Sequence, residues 1–209
     1  MAKAHALPPT PWAGPVAGLV ASLVSRVRRR VQPAQQPISS VGPGWAVVRG
    51  CACAGALARR APISGRLGLG WRVLVERECG VRGWEPVVDL CEFVDFELRD
   101  LSGSIRVRAC DSPIMIEVAE HRGRGGPFAP PPYVVAQMIA RAASGPSGMR
   151  GVLFHKGVRW REWVLEAGAE IVVRGRVITE PRDESTGYRA LTNALVLAGG
   201  ATRPLELTQ

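Results

Sequence analysis

The chain has 209 residues, of which 46% are hydrophobic, so it is long enough to bury a core and is not a disordered protein as a whole. Its net charge of +9 would suit a nucleic-acid-binding protein, but five of the 27 basic residues and none of the 18 acidic residues lie in residues 1–44. The rest of the chain, with 22 basic and 18 acidic residues, is only mildly basic, which weakens that interpretation.

The cysteine content indicates the redox compartment of the protein, and the ratio of arginine to lysine indicates the type of genome that encodes it. Five cysteines without a CxxC pair argue against a disulfide framework and against a regular zinc site. We therefore expect a reducing, cytoplasmic environment and no cofactor. Arginine greatly outnumbers lysine, which is typical of a GC-rich bacterial genome.

Residues 1–44 are predicted to be an N-terminal extension. Val16–Val31 contains an apolar stretch of about ten residues, too short for a bilayer span, which needs about 20. We expect a short amphipathic helix here, with a basic end formed by Arg26, Arg28, Arg29 and Arg30. Two roles are open: contact with an anionic membrane surface, or a loosely docked helix without that function. Gln32–Gly44 has the composition of a Pro-rich linker.

From residue 45 to residue 209 the pattern changes to short strands. The runs that predict strands are Trp45–Leu57, Gly70–Glu78, Trp84–Cys91, Ile114–Ala119, either Val152–Gly157 or Val158–Leu165, Ala169–Thr179 and Tyr188–Leu197. Tyr133–Ser144 is the one predicted helix of this body, and the preceding Gly123–Pro132 is predicted to form a loop. Many short strands with one inserted helix predict a mainly β fold, an OB-like antiparallel β-barrel.

The residues from Phe93 to Ala109 predict a β-hairpin. Apolar and charged residues alternate on both sides of a turn, and Gly103 is predicted to take the positive φ that closes it. A symmetric turn gives two expected cross-strand ion pairs on the outer face, Glu97 with Arg106 and Asp95 with Arg108. These pairs, with Asp100 as a turn residue, explain the acidic residues without a catalytic role.

Two glycines interrupt similar strand-like runs, Gly50 in AVVRGCA and Gly175 in IVVRGRV. Glycine inside a strand indicates a bend or a close backbone contact, as small barrels need. Gly168 is predicted to form the turn before the second run. In the preceding RWREW segment, the two tryptophans alternate to opposite sides, and Glu162 is expected to pair with an arginine. We interpret this region as scaffold and not as a site.

The ordered residues of this body resemble the GIDE-type, or BAM ("beside a membrane"), domain of membrane-anchored ubiquitin ligases and of prokaryotic relatives. The matching residues are Gly50, Pro62, Ser64, Gly65, Phe96, Leu98, Asp100, Gly103, Val107, Glu162, Leu165, Gly168, Val173 and Gly175. The resemblance implies a binding and regulatory module beside a membrane. It does not imply ubiquitin transfer, because no cysteine follows Cys110 and a RING finger needs eight Cys/His zinc ligands.

No familiar catalytic motif occurs in the sequence. The Gly-rich stretches lack phosphate-binding spacing, and the chain has no nucleophile elbow and no HExxH pair. Cys51 and Cys53 are interpreted as two core thiols in preference to a metal or redox pair. A site assembled in space, with His155 or Cys79, is the weakest of the functional hypotheses.

We therefore expect a non-catalytic binding or regulatory β-barrel with an unknown protein partner, peripheral to a membrane if the basic helix contacts one. The alternative is an OB-like nucleic-acid-binding protein, whose outward arginines would be Arg106, Arg108, Arg174 and Arg176.

Overall fold

The computed structural model describes residues 34–55, 58–110, 112–118, 120–126, 128–143, 157–181, 193–200 and 202–209. Its strands are β1 (Gly44–Cys53), β2 (Arg59–Arg60), β3 (Leu67–Gly68), β4 (Gly70–Glu78), β5 (Trp84–Phe93), β6 (Phe96–Asp100), β7 (Gly103–Arg108), β8 (Ile114–Glu117), β9 (Glu120–Gly125), β10 (Val158–Leu165), β11 (Glu170–Pro181), β12 (Asn193–Ala198) and β13 (Leu205–Thr208). The helix α1 is Tyr133–Ala143, and two 3-10 helices are Ile38–Ser40 and Gly80–Arg82. The prediction of a mainly β fold is confirmed.

Five strands close into a barrel in the order β1, β6, β7, β12, β11 and back to β1. The neighbouring pairs are antiparallel except for β7 and β12, which run parallel. The predicted barrel is confirmed, but its pairing is not wholly antiparallel. The inward residues of the hairpin β6–β7, Phe96, Leu98, Ile105 and Val107, are all buried in the barrel core. Beyond β11, the sheet continues through β13 and β8.

Two glycines lie where barrel strands change neighbours. β1 pairs with β11 and then with β6, and a Cβ on Gly50 would lie 2.5 Å from the carbonyl oxygen of Arg99. In β11, Gly175 lies between the residues that pair with β13 and those that pair with β12. A Cβ there would lie 2.8 Å from Cδ1 of Leu205. The prediction that both glycines permit close contacts is confirmed.

A second, four-stranded antiparallel sheet has the order β5, β4, β10, β9. Its strands come from two insertions between barrel strands, one between β1 and β6 and one between β7 and β11. The helix α1 covers one face of this sheet. Val135 and Ile139, one helical turn apart, pack there against Val73, Val75 and Trp160. The sheet therefore has its own apolar core on the helix side.

The strand β9 includes residues that composition assigned to a loop. Gly123–Gly125 belong to β9 and pair with β10, so that part of the loop prediction is wrong. A Cβ on Gly123 would lie 2.2 Å from Cζ2 of Trp160, because this indole packs against β9 on the helix side. Trp163 packs in the barrel core instead, which confirms that the two tryptophans of β10 face opposite sides.

The described part of the predicted linker packs on the barrel. Ile38 and Val41 are buried in the barrel core. The backbone N–H of Ile38 donates to Oδ2 of Asp100 at 2.9 Å, and that of Ser39 donates to Oγ of Ser102 at 3.0 Å. The predicted basic helix with Arg26, Arg28, Arg29 and Arg30 lies outside the described residues.

Candidate functional site

Glu162, one of the residues behind the family resemblance, is a buried structural clamp. Its side chain is fully buried on β10. The backbone N–H groups of Ile63 and Ser64 donate to its two carboxylate oxygens at 2.7 and 2.9 Å. The expectation that Glu162 pairs with an arginine is wrong, because backbone donors of a distant turn satisfy the carboxylate. The same contact brings Pro62–Gly65 of the resemblance next to Glu162.

Asp100 holds the turn between β6 and β7. Its Oδ1 accepts the N–H and the hydroxyl of Ser102, both at 2.7 Å, and the N–H of Gly103 at 2.9 Å. The Ser102 hydroxyl, together with the N–H of Ile38, lowers the pKa of Asp100 below its ordinary value. Gly103 does not have a positive φ, so that prediction is wrong: the Asp100 carboxylate organises the turn instead. Gly168 does have a positive φ, at 85°, and the prediction of a turn at this residue is confirmed.

The ion pairs of the hairpin differ from those expected. Glu97 lies opposite Arg106, as predicted. Arg106, however, pairs with Asp95 at 2.8 Å, Glu97 pairs with Arg99, and Arg108 pairs with Glu180. Asp95 precedes β6 and accepts the backbone N–H groups of residues 109 and 110, which takes it out of the strand register. The two predicted cross-strand pairs are therefore wrong, although the register is right.

Most arginines on the outer surface of the barrel have carboxylate partners. Arg49 pairs with Glu170 at 2.9 Å, and Arg174 pairs with Glu206 at 3.0 Å. Of the four arginines named for the nucleic-acid alternative, only Arg176 has no carboxylate partner among the described residues. The barrel surface therefore offers few cations to a ligand.

Cys51 and Cys53 are not in the core. Both thiols are half-buried on the outer side of β1, whereas Ala52 between them is fully buried. The prediction of two core thiols is wrong because the alternation of β1 turns Ala52 inward. Burial raises the pKa of the Cys53 thiol, and the neighbouring Cys51 raises it further, which opposes a reactive thiolate. Within the described ranges, no group of three or more His, Cys, Asp and Glu side chains could hold a metal ion.

An open groove of about 550 Å³ lies beside these thiols at the barrel edge. Its lining includes Arg49, Cys51, Leu101 and Glu170. Arg49 and Glu170 bind each other. The other two charged lining residues are also committed, because Arg99 pairs with Glu97 and Asp100 holds its own turn.

The face of the four-stranded sheet opposite α1 contains a group of arginine side chains and indole rings. We call it the arginine–tryptophan face, and it is formed by Arg72, Arg122, Arg124, Arg159, Arg161, Trp84 and Trp163. Residues directly opposite in an antiparallel sheet project to the same side. Arg159 lies opposite Arg124, and Arg161 lies opposite Arg122. Two adjacent strands thus place four guanidinium groups side by side.

Trp84 is the aromatic centre of one end of this face. The guanidinium carbon of Arg159 lies 4.6 Å from its ring centroid, and that of Arg124 lies 5.9 Å away. Arg159 also makes a bidentate ion pair with the largely buried Glu76, at 2.7 and 2.9 Å. That ion pair raises the pKa of Arg159. Trp84 therefore lies beside one cation that Glu76 holds in place, Arg159, and one exposed cation, Arg124.

Trp163 has a similar environment at the other end. The guanidinium carbon of Arg161 lies 5.2 Å from its ring centroid, and that of Arg72 lies 5.9 Å away. Arg72 is held in place by a bidentate ion pair with Asp89, at 2.9 and 2.7 Å. Trp163 itself is only 9% exposed, so its ring packs under the arginines and is not available for contact with a ligand.

The two arginines of β9 are the uncommitted cations of the face. Arg122 and Arg124 are exposed, and neither has a carboxylate partner in the part of the chain that the structure describes. Glu120 lies opposite Trp163, and Glu78 lies opposite Trp84, so acidic residues border the arginines on two sides. The face can therefore receive an anion mainly along β9 and β10.

This face was not predicted, although the sequence contains a signal for it. Arginines alternate in Arg122–Gly123–Arg124 and in Arg159–Trp160–Arg161, which places each pair on one side of a strand. The glycines of the first segment suggested a loop, and the second was interpreted as scaffold.

Comparison of the chain with protein-family models, with curated proteins and with solved structures gave no match. The resemblance to the GIDE-type domain therefore stays a prediction. Among the described residues, no helix has the length and apolar character that crossing a membrane requires.

Proposed function

We propose that the chain is a non-catalytic binding module, in which an OB-like barrel is the scaffold and the arginine–tryptophan face binds an anionic partner. The proposal keeps the class of function expected from the sequence and moves the binding surface from the barrel to the four-stranded sheet.

The OB-like character of the barrel is supported by its connectivity. Numbered in chain order, the barrel strands β1, β6, β7, β11 and β12 have the spatial order 1-2-3-5-4, and the fourth closes on the first. The third and fifth strands run parallel. A closed five-stranded barrel with this strand order supports the OB-like proposal, because the OB fold is a five-stranded barrel used by many binding proteins.

The observation that carries the anionic partner is the pair of like-charge contacts between β9 and β10. Arg122 lies opposite Arg161, and Arg124 lies opposite Arg159. Like charges directly opposite each other destabilise a sheet. Only one carboxylate, that of Glu76, bonds to the β10 arginines, and none of the described carboxylates bonds to those of β9. A negatively charged ligand would relieve this repulsion.

The absence of a catalytic role in the proposal is supported by the two buried carboxylates, because both are bonded to groups within the fold. Glu162 holds a backbone turn, and Glu76 holds two arginines. Each has its donors fixed within the fold, so neither is poised to exchange a proton with a substrate.

Heparin chromatography tests this function with a model polyanion. Wild type is compared with R122S/R124S and with the charge-matched control R141S/R176S, whose arginines are exposed on α1 and β11. We expect wild type and the control to elute together, and R122S/R124S to elute at clearly lower salt, because charge contacts weaken with salt. Equal elution of the two double variants, or no retention of wild type, would contradict the proposal.

Peripheral contact with a membrane is a second candidate, favoured by two apolar side chains at one end of the four-stranded sheet. Val81, in the turn between β4 and β5, and Phe128, after β9, are fully exposed. Val158 lies opposite Arg77 of β4 and opposite Gly125 of β9, so both loops leave the sheet at the same end. Exposed apolar side chains beside arginines are typical of interfacial binding.

Co-sedimentation with phosphatidylserine vesicles tests this second candidate. The proteins are wild type, V81S/F128S, the control L101S in the exposed β6–β7 turn of the barrel, and a chain without residues 1–33, which leaves the buried Ile38 in place. Loss of binding in V81S/F128S but not in L101S supports contact through the sheet end. Loss only without residues 1–33 supports contact through the N-terminal arginines, and no sedimentation of wild type rejects both.

A further inference from the structure

We infer that the anionic partner is single-stranded nucleic acid, which lies across the arginine–tryptophan face along β9 and β10. This inference rests on the proposed function and names the ligand class of the same site. It places the ligand on the inserted sheet and not on the barrel surface.

The architecture of the sheet suits an extended strand. On this face the arginines of β9 are exposed, whereas Trp163 at the other end packs in the barrel core, and α1 covers the opposite face through Val135 and Ile139. On β9, Arg122 and Arg124 are two residues apart, which separates their Cα atoms by about 6.6 Å along the strand. Arg159 and Arg161 have the same spacing on β10, which lies about 4.8 Å from β9 in the sheet. A double row of cations at this spacing can contact successive phosphates of one chain.

The indole of Trp84 adds the second element that such ligands require. Single-stranded nucleic acids bind where a basic surface lies beside aromatic rings, because every base has a face that can stack. Trp84 is half-buried and lies 4.6 Å from the guanidinium of Arg159, a planar group that also stacks on bases. Phosphates on the β9 arginines would leave bases directed towards this indole–guanidinium pair.

The acidic residues at the border limit the length of the contact. Glu120 and Glu78 lie at opposite corners, and Asp89 neutralises Arg72. A polyanion is repelled from those corners, so we expect only about three phosphates to be neutralised. Because each phosphate neutralised on a single strand contributes about −0.7 to the salt slope, the slope of log K against log salt should be about −2.

A lipid surface fits this face less well than a nucleic acid. Interfacial binding needs exposed apolar side chains that enter the lipid, whereas the exposed apolar residues Val81 and Phe128 lie in loops at the end of the sheet. On the face itself the aromatic ring of Trp84 is flanked by Arg159 and Arg124. Vesicle binding is therefore an alternative outcome of the test and not the inference.

The experiment is fluorescence anisotropy with labelled dT15 and rU15 oligonucleotides, each also as a duplex with its complement, titrated from roughly 25 to 200 mM salt. Full-length wild type is compared with R122S/R124S, W84L, W84F and the charge-matched R141S/R176S. Circular dichroism first confirms that each variant is folded.

We expect wild type to bind the single strands better than the duplexes. R122S/R124S should bind roughly tenfold more weakly or worse, with a salt slope smaller in magnitude by about 1.4, because two phosphate contacts of about 0.7 each are lost. W84L should lose roughly fivefold or more, W84F should stay within about twofold because it keeps a ring, and R141S/R176S should behave as wild type.

Three results would overturn the inference. Absence of salt-dependent oligonucleotide binding would reject nucleic acid as the ligand, and equal losses in R122S/R124S and R141S/R176S would reject the face. If W84L binds the single strands as tightly as wild type does, and neither protein prefers single strands to duplexes, the stacking role of Trp84 is rejected. If R122S/R124S loses heparin or phosphatidylserine vesicle binding while no oligonucleotide binds, the inference fails and the proposed function stands.

Discussion

The two sheets of this molecule use arginine in opposite ways. On the barrel, Arg106, Arg49 and Arg174 each have a carboxylate from a neighbouring strand or segment. On the four-stranded sheet, Arg122 and Arg124 have other arginines as their cross-strand neighbours. A fold selected only for stability would avoid the second arrangement. The difference supports the proposal that the barrel is scaffold and that the inserted sheet carries the binding surface.

The largest expected effect tests how the inserted sheet is joined to the loops around it. Glu162→Ala would leave the N–H groups of Ile63 and Ser64 without their acceptor in a buried place. We expect a loss of about 3 kcal/mol in the free energy of unfolding, measured by urea denaturation. The control Glu166→Gln removes an exposed ion pair with Arg66 and should cost less than about 1 kcal/mol. Equal small losses would contradict the clamp.

The next effect tests the barrel as a close-packed scaffold. In Gly50→Ala the new Cβ would lie 2.5 Å from the carbonyl oxygen of Arg99, so the two backbones must separate. We expect a destabilisation of about 2 kcal/mol, seen as a lower urea midpoint. Gly42→Ala is the matched control, because nothing lies within 4 Å of a Cβ at that position. A Gly50→Ala protein as stable as the control would show that the strands are not in close contact.

A smaller effect tests the turn that attaches Ile38 to the barrel. The folded pKa of Asp100 is lowered from its ordinary value of 3.8, mainly by the hydroxyl of Ser102. The ionised group therefore adds stability that is complete above that value and is lost as the pH falls through the folded pKa. We expect wild type to be more stable than Asp100→Asn at about pH 6, and the difference to shrink towards about pH 2. A difference independent of pH would contradict this role.

The smallest expected effect separates function from stability. R122S/R124S removes two like-charge contacts from the sheet, the contact of Arg124 with Trp84, and no ion pair among the described residues. We expect its free energy of unfolding to equal that of wild type or to exceed it by a few tenths of a kcal/mol, measured by urea denaturation at low salt. The paired-arginine variant R106S on the barrel should not be stabilised in this way. A clear destabilisation by R122S/R124S would mean that these arginines have a structural role.

The barrel could be predicted from the sequence to a large extent because its signals are local. The alternation in β6 and β7 gave the correct hairpin register, and Gly70–Glu78 gave the bounds of β4. Gly50 and Gly175 were recognised as points of close contact because glycine is rare inside strands for a physical reason. The Asp100 contact to Ile38 was missed because it joins residues 62 apart in the sequence.

The candidate site could not be predicted because it depends on pairing between distant segments. Arg159 meets Glu76 across 83 residues, and nothing in either strand alone specifies that register. The glycine between Arg122 and Arg124 suggested a loop, whereas it is there because Trp160 occupies the space of a side chain. Side chains alternate between the two faces along β9 and β10. Trp160 is therefore buried on the helix side, and the four arginines lie together on the opposite face.

Chemical-shift mapping by NMR tests the central claim most directly, because it compares the two sheets in one titration. A heparin-derived tetrasaccharide is added to the isotope-labelled full chain, and backbone amide shifts are followed. We predict the largest changes in β9, in β10 between Arg159 and Trp163, and near Trp84, with little change in β6 and β7. Changes concentrated on β6 and β7, with β9 unaffected, would contradict the assignment of the inserted sheet as the binding surface.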